Sequence, residues 1–384
     1  MKKSFKLHGG KYEFDFFPLN QRLKDSPPPI PAALGNPKEA WQMYESEIRE
    51  FGSAVGPEYV PVPFIFPKIG NRWYGDFTGN GGQREFRHTR VKLTEEPLRL
   101  VRPMQEIRRF ADLAQVLRFP KSEECACVRD LQLVDSVPSF VIGPGPYEEV
   151  FATMNSQGLK FDLTSEQLSA VEIFWGNKGR VELARLVKKL KKRYGQVTIR
   201  RAVHQYCKGL PKLGDAVASY VFGMAAVIVT SDGYAVFGHR AKHRVSVNTG
   251  INLATSGGFR FDREKLRGLG LSRFVETEIL REAFEEVAIS GSDCAVTVLA
   301  MVRELSRAGS PEILALIEFY GTLRDLVRRM ESNHHPEQDI DAVFALPLSS
   351  ARALVLEPDA GKVLQPKALV NLIMLDRHLK NGIV

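Results

Sequence analysis

The pattern of apolar and polar positions changes texture near residue 215. Before it, short apolar runs such as YVPVPFIF are broken by Pro and Gly, as in SPPPIPAALG and TGNGGQ, which predicts irregular α+β structure over residues 1–120. Apolar residues recurring at three and four spacings predict helices near residues 38–51 and 103–119. PSFVIGPGPYEEVF reads as a strand followed by a turn. In LTSEQLSAVEIFW, Thr164 and Gln167 have the spacing of a capping box, in which each side chain reaches a free backbone N–H, so a helix starts there. A second helix over residues 180–194 puts Leu183, Leu186, Val187, Leu190 and Tyr194 on one face and leaves Lys188, Lys189, Lys191, Lys192 and Arg193 largely off it.

The segment KGLPKLGD, residues 208–215, combines Gly, Pro and charge and reads as a linker. Beyond it, VFGMAAVIVT and YAVFGHR flank S-D-G and predict a hairpin. TSGGFRFDRE then leads to a glutamate-rich helix, to strand candidates CAVTVLAMV, EILALIEFYGTL and VFALPL, and to a closing amphipathic helix, KALVNLIMLDRHL. The expected organisation is an N-terminal α+β region over residues 1–210, with a candidate subdivision near 150, and a second domain over 216–384.

Composition narrows the setting. The 384 residues, 44% of them hydrophobic, suffice for two or three domains with their own cores. The N-terminus has no apolar signal-like run, and no stretch approaches the roughly eighteen apolar residues of a membrane span, so a cytoplasmic protein without a membrane partner is expected. Four cysteines are too few for a disulfide framework, and C-A-C is a poor zinc spacing. The net charge of +8 is uneven: residues 178–212 hold twelve Lys and Arg against one acid, Glu182. That stretch could attract phosphate or nucleic acid, and two adjacent helices loosely suggest a helix-turn-helix. Its basic surroundings would lower the pKa of Cys207. VIGPGPYEEV lacks the third glycine of a dinucleotide loop, and no G-x-S-x-G elbow is present, which argues against those chemistries.

The strongest chemical signal is TEILREAFEEVAIS, residues 277–290. On a helix, Glu278, Glu282, Glu285 and Glu286 fall along one stripe beside the apolar stripe Ile279, Ala283 and Val287. Like charges at these spacings cost roughly 0.2–0.5 kcal/mol per pair, more where water is excluded. A hard divalent cation such as Mg²⁺ would offset that repulsion, binding carboxylate oxygens while keeping positions for phosphate; the alternative is a solvated acidic face.

Gly258 and Glu264 in GGFRFDRE have the spacing G-x5-E, and Arg281 to Ile289 reads R-E-A-F-E-E-V-A-I. Together these resemble the Nudix box, G-x5-E-x7-R-E-U-x-E-E-x-G-U, over a region of about residues 216–384. The resemblance implies an α+β chain with a C-terminal Nudix α/β/α sandwich and a separate N-terminal α+β region. It implies Mg²⁺ or Mn²⁺ held by Glu282, Glu285, Glu286 and the Gly258 carbonyl, and an Arg281–Glu264 ion pair bracing loop to helix. Two departures stand out: sixteen residues separate Glu264 from Arg281 in place of seven, an insertion within KLRGLGLSRF, and Ala288 replaces the usual Gly. If the insertion breaks the register, Glu276 or Glu278 would partner Arg281 instead.

The activity implied is metal-assisted hydrolysis of a diphosphate linkage in a nucleoside diphosphate derivative, with Glu286, Glu285, Glu282 and Arg281 as the catalytic set. The family also draws a base from later loops, for which Glu304, Glu312 and Glu337 are candidates, each otherwise an ordinary surface acid. Candidate phosphate or nucleobase contacts are Arg244, with Lys242 and His243, and His334 and His335 in ESNHHPEQDID. The long spacer resembles a UDP-sugar-hydrolysing branch of the family. The alternative expectation is a nucleotide-sensing regulator with a non-cleaving Nudix domain and a nucleic-acid-binding basic region; a third assigns the N-terminal half to homodimerisation or partner binding.

Overall fold

The structure is a computed structural model that describes residues 2–7, 10–19, 45, 47–96, 98–114, 124–146, 159–163, 165–240, 251–332 and 340–382. In chain order its first elements are β1 (Lys2–Leu7), β2 (Gly10–Pro18), β3 (Phe64–Ile65), β4 (Lys68–Ile69), β5 (Arg72–Trp73), α1 (Asn80–His88) and β6 (Arg90–Leu93). There follow α2 (Arg102–Ala114), β7 (Glu124–Val134), β8 (Val137–Pro146), α3 (Ser165–Tyr194) and α4 (Ile199–Cys207). The remainder comprises β9 (Gly223–Thr230), β10 (Tyr234–Arg240), β11 (Ile251–Leu253), β12 (Thr255–Gly258), α5 (Arg263–Val287), β13 (Cys294–Glu304), β14 (Ser310–Phe319), α6 (Leu323–Ser332), β15 (Ile340–Pro347), α7 (Leu348–Leu354) and α8 (Pro366–Lys380). The architecture is α+β.

The apolar runs after residue 215 build the centre of a ten-stranded sheet with path β1-β2-β15-β10-β9-β14-β13-β3, β11 pairing with β10 and β12 with β9. All its pairings are antiparallel except β9 with β14. Side chains alternate between faces along a strand, and β9 shows the division. Met224, Ala226 and Ile228 join the core that holds Phe274, Val275, Ile279 and Ala283 of α5. Ala225 and Val227 join the core that holds Leu369, Leu372 and Ile373 of α8. The sheet is thus sandwiched between helices, and β9 is buried on both sides.

Strands from the first half enter this sheet at both edges. The β1–β2 hairpin adds to β15 in the register Phe344↔Phe16, where Phe14 meets Phe344 edge-on at 6.0 Å and Phe16 lies tilted against it at 4.9 Å between ring centroids. At the other edge β3 pairs with β13. A second, three-stranded sheet, β6-β8-β7, lies against the segments that flank β9 and β12: Ala126 N–H donates to the Phe259 carbonyl and Phe222 N–H to the Ala126 carbonyl.

Several expected elements form with altered limits. Of residues 38–51, residues 45 and 47–51 are described and are helical. The next helix is α2, which buries Met104, Ile107, Phe110 and Leu113; residues 115–119 lie outside the described residues. The helices expected to either side of residue 176 run end to end as α3, joined at Gly176, whose φ of 68° and ψ of 179° glycine alone adopts readily. Thr164 and the Gln167 side chain lie outside the described residues, while Leu183, Leu186 and Leu190 are buried as their spacing requires. The KGLPKLGD segment is docked: Leu213 is buried, and the Pro211 carbonyl accepts a hydrogen bond from the buried Arg303 guanidinium. Among the described residues no helix is long and apolar enough to cross a membrane.

The acidic stretch is the second half of a longer helix, α5. The inserted residues, expected as loop, form its first turns because Asp262 caps them by accepting from Lys265 N–H, and Leu266 buries. Gly270, at φ 70° and ψ 175°, then breaks the axis before Leu271, Phe274 and Val275 resume the buried stripe. Ala288 ends the helix in the left-handed conformation at φ 56°, the geometry for which glycine is preferred.

Candidate functional site

Chain order brings the candidate site together: β12 ends at Gly258, the loop 259–262 turns, and α5 returns its charged stripe to the same place. Gly257 pairs with Met224 and so faces α5, whereas Gly258 pairs with Gly223 and faces the other way. A β-carbon on Gly257 would lie 2.3 Å from Glu282 Oε1 and 2.5 Å from Oε2, so the bare backbone there is what admits this carboxylate. A β-carbon on Gly258 would meet only Val221 Cγ2, at 3.1 Å. The close approach expected at Gly258 therefore belongs to Gly257, one residue earlier.

Arg281 organises the acids. Its Nη2 donates to Glu282 Oε1 at 2.7 Å and to the Gly258 carbonyl at 3.3 Å, its Nη1 to Glu285 Oε2 at 2.6 Å, and its Nε to Glu278 Oε2 at 3.0 Å. Burial works against the guanidinium charge, but the carboxylates of Glu282, Glu278 and Glu285 outweigh it and raise the pKa above its ordinary value. Arg260 adds a second cation, with Nη1 3.3 Å from Glu285 Oε1. Glu286 is buried one turn beyond Glu282.

The bracing role expected of Glu264 falls to Glu278. Glu264 is exposed in the first turn of α5, on the far side of the Gly270 break from Arg281. Glu278, 1% exposed, accepts from Arg281 Nε and from the backbone N–H of Arg260 at 3.0 Å, tying the glycine-bearing loop to the helix. The insertion leaves Glu264 more than about four turns from Arg281 along the helix, as the alternative pairing from the sequence anticipates.

Glu304 and Glu312, read in the sequence as surface acids, are buried. Glu312 is fully enclosed between Lys367 Nζ at 2.9 Å and Arg307 Nη1 at 3.4 Å, and a β-carbon on Gly223 would strike its carboxylate. Burial pushes its carboxyl above the usual range, against the pull of Lys367. Glu304 accepts from Ser306 Oγ. Glu312 pairs in register with Gly223 and so lies on the α8 face, while Glu282 lies on the α5 face. The sheet separates them.

Cys207 also departs from expectation: burial, helped by the nearby Asp215 carboxylate, pushes its thiol up to about 11. Arg244, Lys242, His243, His334, His335 and Glu337 lie outside the described residues. A cleft of about 390 Å³ opens at the α5 break, lined by Val91, Leu93, Leu266, Arg267 and Gly270, and none of the clustered glutamates lines it. Arg260 and Gly257 are the site residues that sequence reasoning passed over; both are in the quoted GGFR, but nothing local marks which glycine is crowded or that Arg260 turns inward.

Among the described residues no group of three or more His, Cys, Asp or Glu side chains is arranged to hold a metal ion. No protein-family model matches the chain, and no curated protein matches it. Among the solved structures similar to it is DR0079 from Deinococcus radiodurans, 14% identical, covering 37% of this chain and 79% of that one, with a TM-score of 0.25.

Proposed function

We propose that this chain is a metal-dependent Nudix hydrolase that cleaves a diphosphate linkage in a nucleoside diphosphate derivative, nucleotide sugars among the candidate substrates. The observation that carries the reading is the convergence of Glu282, Glu285 and the Gly258 carbonyl on one guanidinium, with Glu286 on the next turn. Oxygens drawn from a helix and a glycine loop suit a hard divalent cation. The residue count fits as well: four glutamates, Glu278, Glu282, Glu285 and Glu286, stand against two arginines, Arg281 and Arg260.

Glu282, Glu285, Glu286 and the Gly258 carbonyl would hold Mg²⁺ or Mn²⁺, which when bound neutralises phosphate oxygens and lowers the pKa of an attacking water. The chain's own contribution is positional. Glu278 fixes the loop through Arg260 N–H, Gly257 makes room for Glu282, and the apolar stripe of α5 anchors the helix on the sheet. Glu304 and Glu312, on the far face of the sheet, are not favoured as the base that deprotonates water.

Assays with Mg²⁺ or Mn²⁺ against nucleotide sugars, dinucleotides, ADP-ribose and nucleoside triphosphates test the proposal. Glu286→Gln should abolish turnover with the far-UV spectrum unchanged; turnover equal to wild type would refute the site. The regulator reading loses support from the basic helix itself, where Lys189 and Arg193 flank Glu106 and Lys191 pairs with Asp162. Charges so paired leave less for phosphate.

A further inference from the structure

We propose that β6 and the broken start of α5 form a groove that takes an extended, acidic segment of a partner protein as an added strand. β6 is the edge of the sheet β6-β8-β7 and, among the described residues, pairs with β8 alone, in parallel, Arg90 beside Ser139 and Leu93 beside Ile142. Thr94 N–H donates to the Ile142 carbonyl at 2.9 Å, which fixes the phase of that ladder. Only alternate residues of a parallel strand bond to a given neighbour. Arg90, Lys92 and Thr94 therefore turn their backbone groups to β8, and Val91 and Leu93 turn theirs outward. Neither Val91 nor Leu93 finds a backbone partner on that side among the described residues.

The same two residues line the cleft of about 390 Å³, with Leu266, Arg267 and Gly270 of α5 as its other wall. Cross-strand neighbours share a face of a sheet, so every second side chain of a strand added at β6 would enter this cleft. The helix break keeps it open, since a β-carbon on Gly270 would meet nothing within 4 Å. The opposite face of β6 sets the charge, because Arg90 and Lys92 are exposed there. Cations of this region are sparsely matched: Arg263 and Arg267 share Glu95, at 2.8 and 3.6 Å, and Arg90 has Asp135 at 3.3 Å. Lys92 has no ion-pair partner among the described residues. A strand with apolar residues for the cleft and acids opposite Arg90 and Lys92 is the one that fits. Lysine on an open edge discourages pairing between identical copies, which favours a complementary partner over a second copy of this chain. Main-chain bonds would supply affinity, and the cleft and charges selectivity.

A fluorescein-labelled octapeptide of alternating Glu and Val, titrated into the full-length protein and followed by anisotropy, tests the groove. It should bind, and the octapeptide of alternating Lys and Val should bind on the order of tenfold more weakly; no binding of the first, or equal binding of both, overturns the proposal. Lys92→Glu, at an exposed position, should weaken the acidic peptide on the order of fivefold by turning an attractive cross-strand pair into a repulsive one. Val91→Pro removes one outward N–H and leaves the ladder to β8 intact, so a similar factor of about five is expected. Unchanged affinity in either folded variant counts against the groove. Hydrogen exchange read residue by residue locates the peptide. In the free protein the Val91 and Leu93 amides should exchange faster than that of Lys92, and the bound peptide should slow them. Protection of Val91 and Leu93 without peptide would show the edge already covered and overturn the proposal, as would binding that leaves both amides unprotected. The groove uses none of the clustered glutamates, so its test is independent of the hydrolase reading.

Discussion

Two glutamates compete for the bracing of Arg281, and burial separates them. Glu278 is enclosed and accepts two hydrogen bonds, one from a guanidinium and one from a backbone N–H, while Glu264 stands in solvent. Hydrogen bonds to a charged group contribute about 1.5–3 kcal/mol each, but Arg281 retains Glu282 and Glu285 when Glu278 is neutralised, so Glu278→Gln should cost about 2 kcal/mol. Glu264→Gln should change stability by no more than about 0.5 kcal/mol, as substitutions at exposed positions do. Urea unfolding of the two variants measures both, and equal losses would contradict the assignment. At this scale the stripe of acids was legible, because helical spacing alone aligns Glu278, Glu282, Glu285 and Glu286. Which acid pairs with Arg281 was not, since the answer depends on the path of the chain between residues 264 and 281. Burial of Glu304 and Glu312 was equally hidden: a strand pattern does not reveal that Lys367, more than fifty residues on, covers Glu312.

Helix α5 carries the site, and its shape depends on one residue. The first turns and the acidic turns follow different axes because Gly270 adopts φ 70° and ψ 175°. Such backbone belongs to glycine, and imposing it on another residue costs about 1–3 kcal/mol. Gly270→Ala has open space for its methyl group, so the cost is conformational and not steric. The variant should lose about 1–3 kcal/mol in chemical unfolding; no loss would mean that the two segments can realign without penalty. The residues inserted within KLRGLGLSRF were expected in the loop before the helix, an expectation that contained no broken helix. The strands around α5 were better marked, because β9, β13 and β14 are long β-branched and apolar runs buried on both faces. Their order was not marked, since β9 lies between β10 and β14 only through a parallel pairing formed across about ninety residues.

Across the whole molecule, the N-terminal half is part of the frame that holds the site. β7 hydrogen-bonds to the loop after β12 through Phe259 and Phe261 and to the segment before β9 through Phe222, and the first hairpin and β3 close the two edges of the main sheet. No local pattern announces contacts between segments a hundred or more residues apart, which is why the two halves look separate in the sequence. The same long-range packing buries charge. Glu47, in the N-terminal helical segment, pairs with Arg200 of α4, which reaches the Ser306 carbonyl at 3.4 Å, and His204 one turn on stands edge-on to Phe51 at 5.1 Å. His204 is 3% exposed, its Nε2 makes no hydrogen bond among the described residues, and burial followed by the nearby Arg200 and Arg201 lowers its pKa to about 4. A folded-state pKa below the unfolded value of 6.5 means that the unfolded chain takes up the proton first. The stabilisation from the neutral imidazole is therefore fully present above pH 6.5 and is lost as pH falls towards about 4. Burial raises the Glu47 carboxyl to about 7 against the pull of Arg200, and its contribution has the opposite sense, lost as pH rises from 4.5 through 7. The absolute stability curve mixes the two, so a difference isolates the imidazole. Between pH 7.5 and pH 5, wild type should lose about 2 kcal/mol more than His204→Gln, the linkage expected from these pKa values. Denaturant unfolding of both proteins at the two pH values measures that difference, and parallel curves would show that His204 is not held neutral.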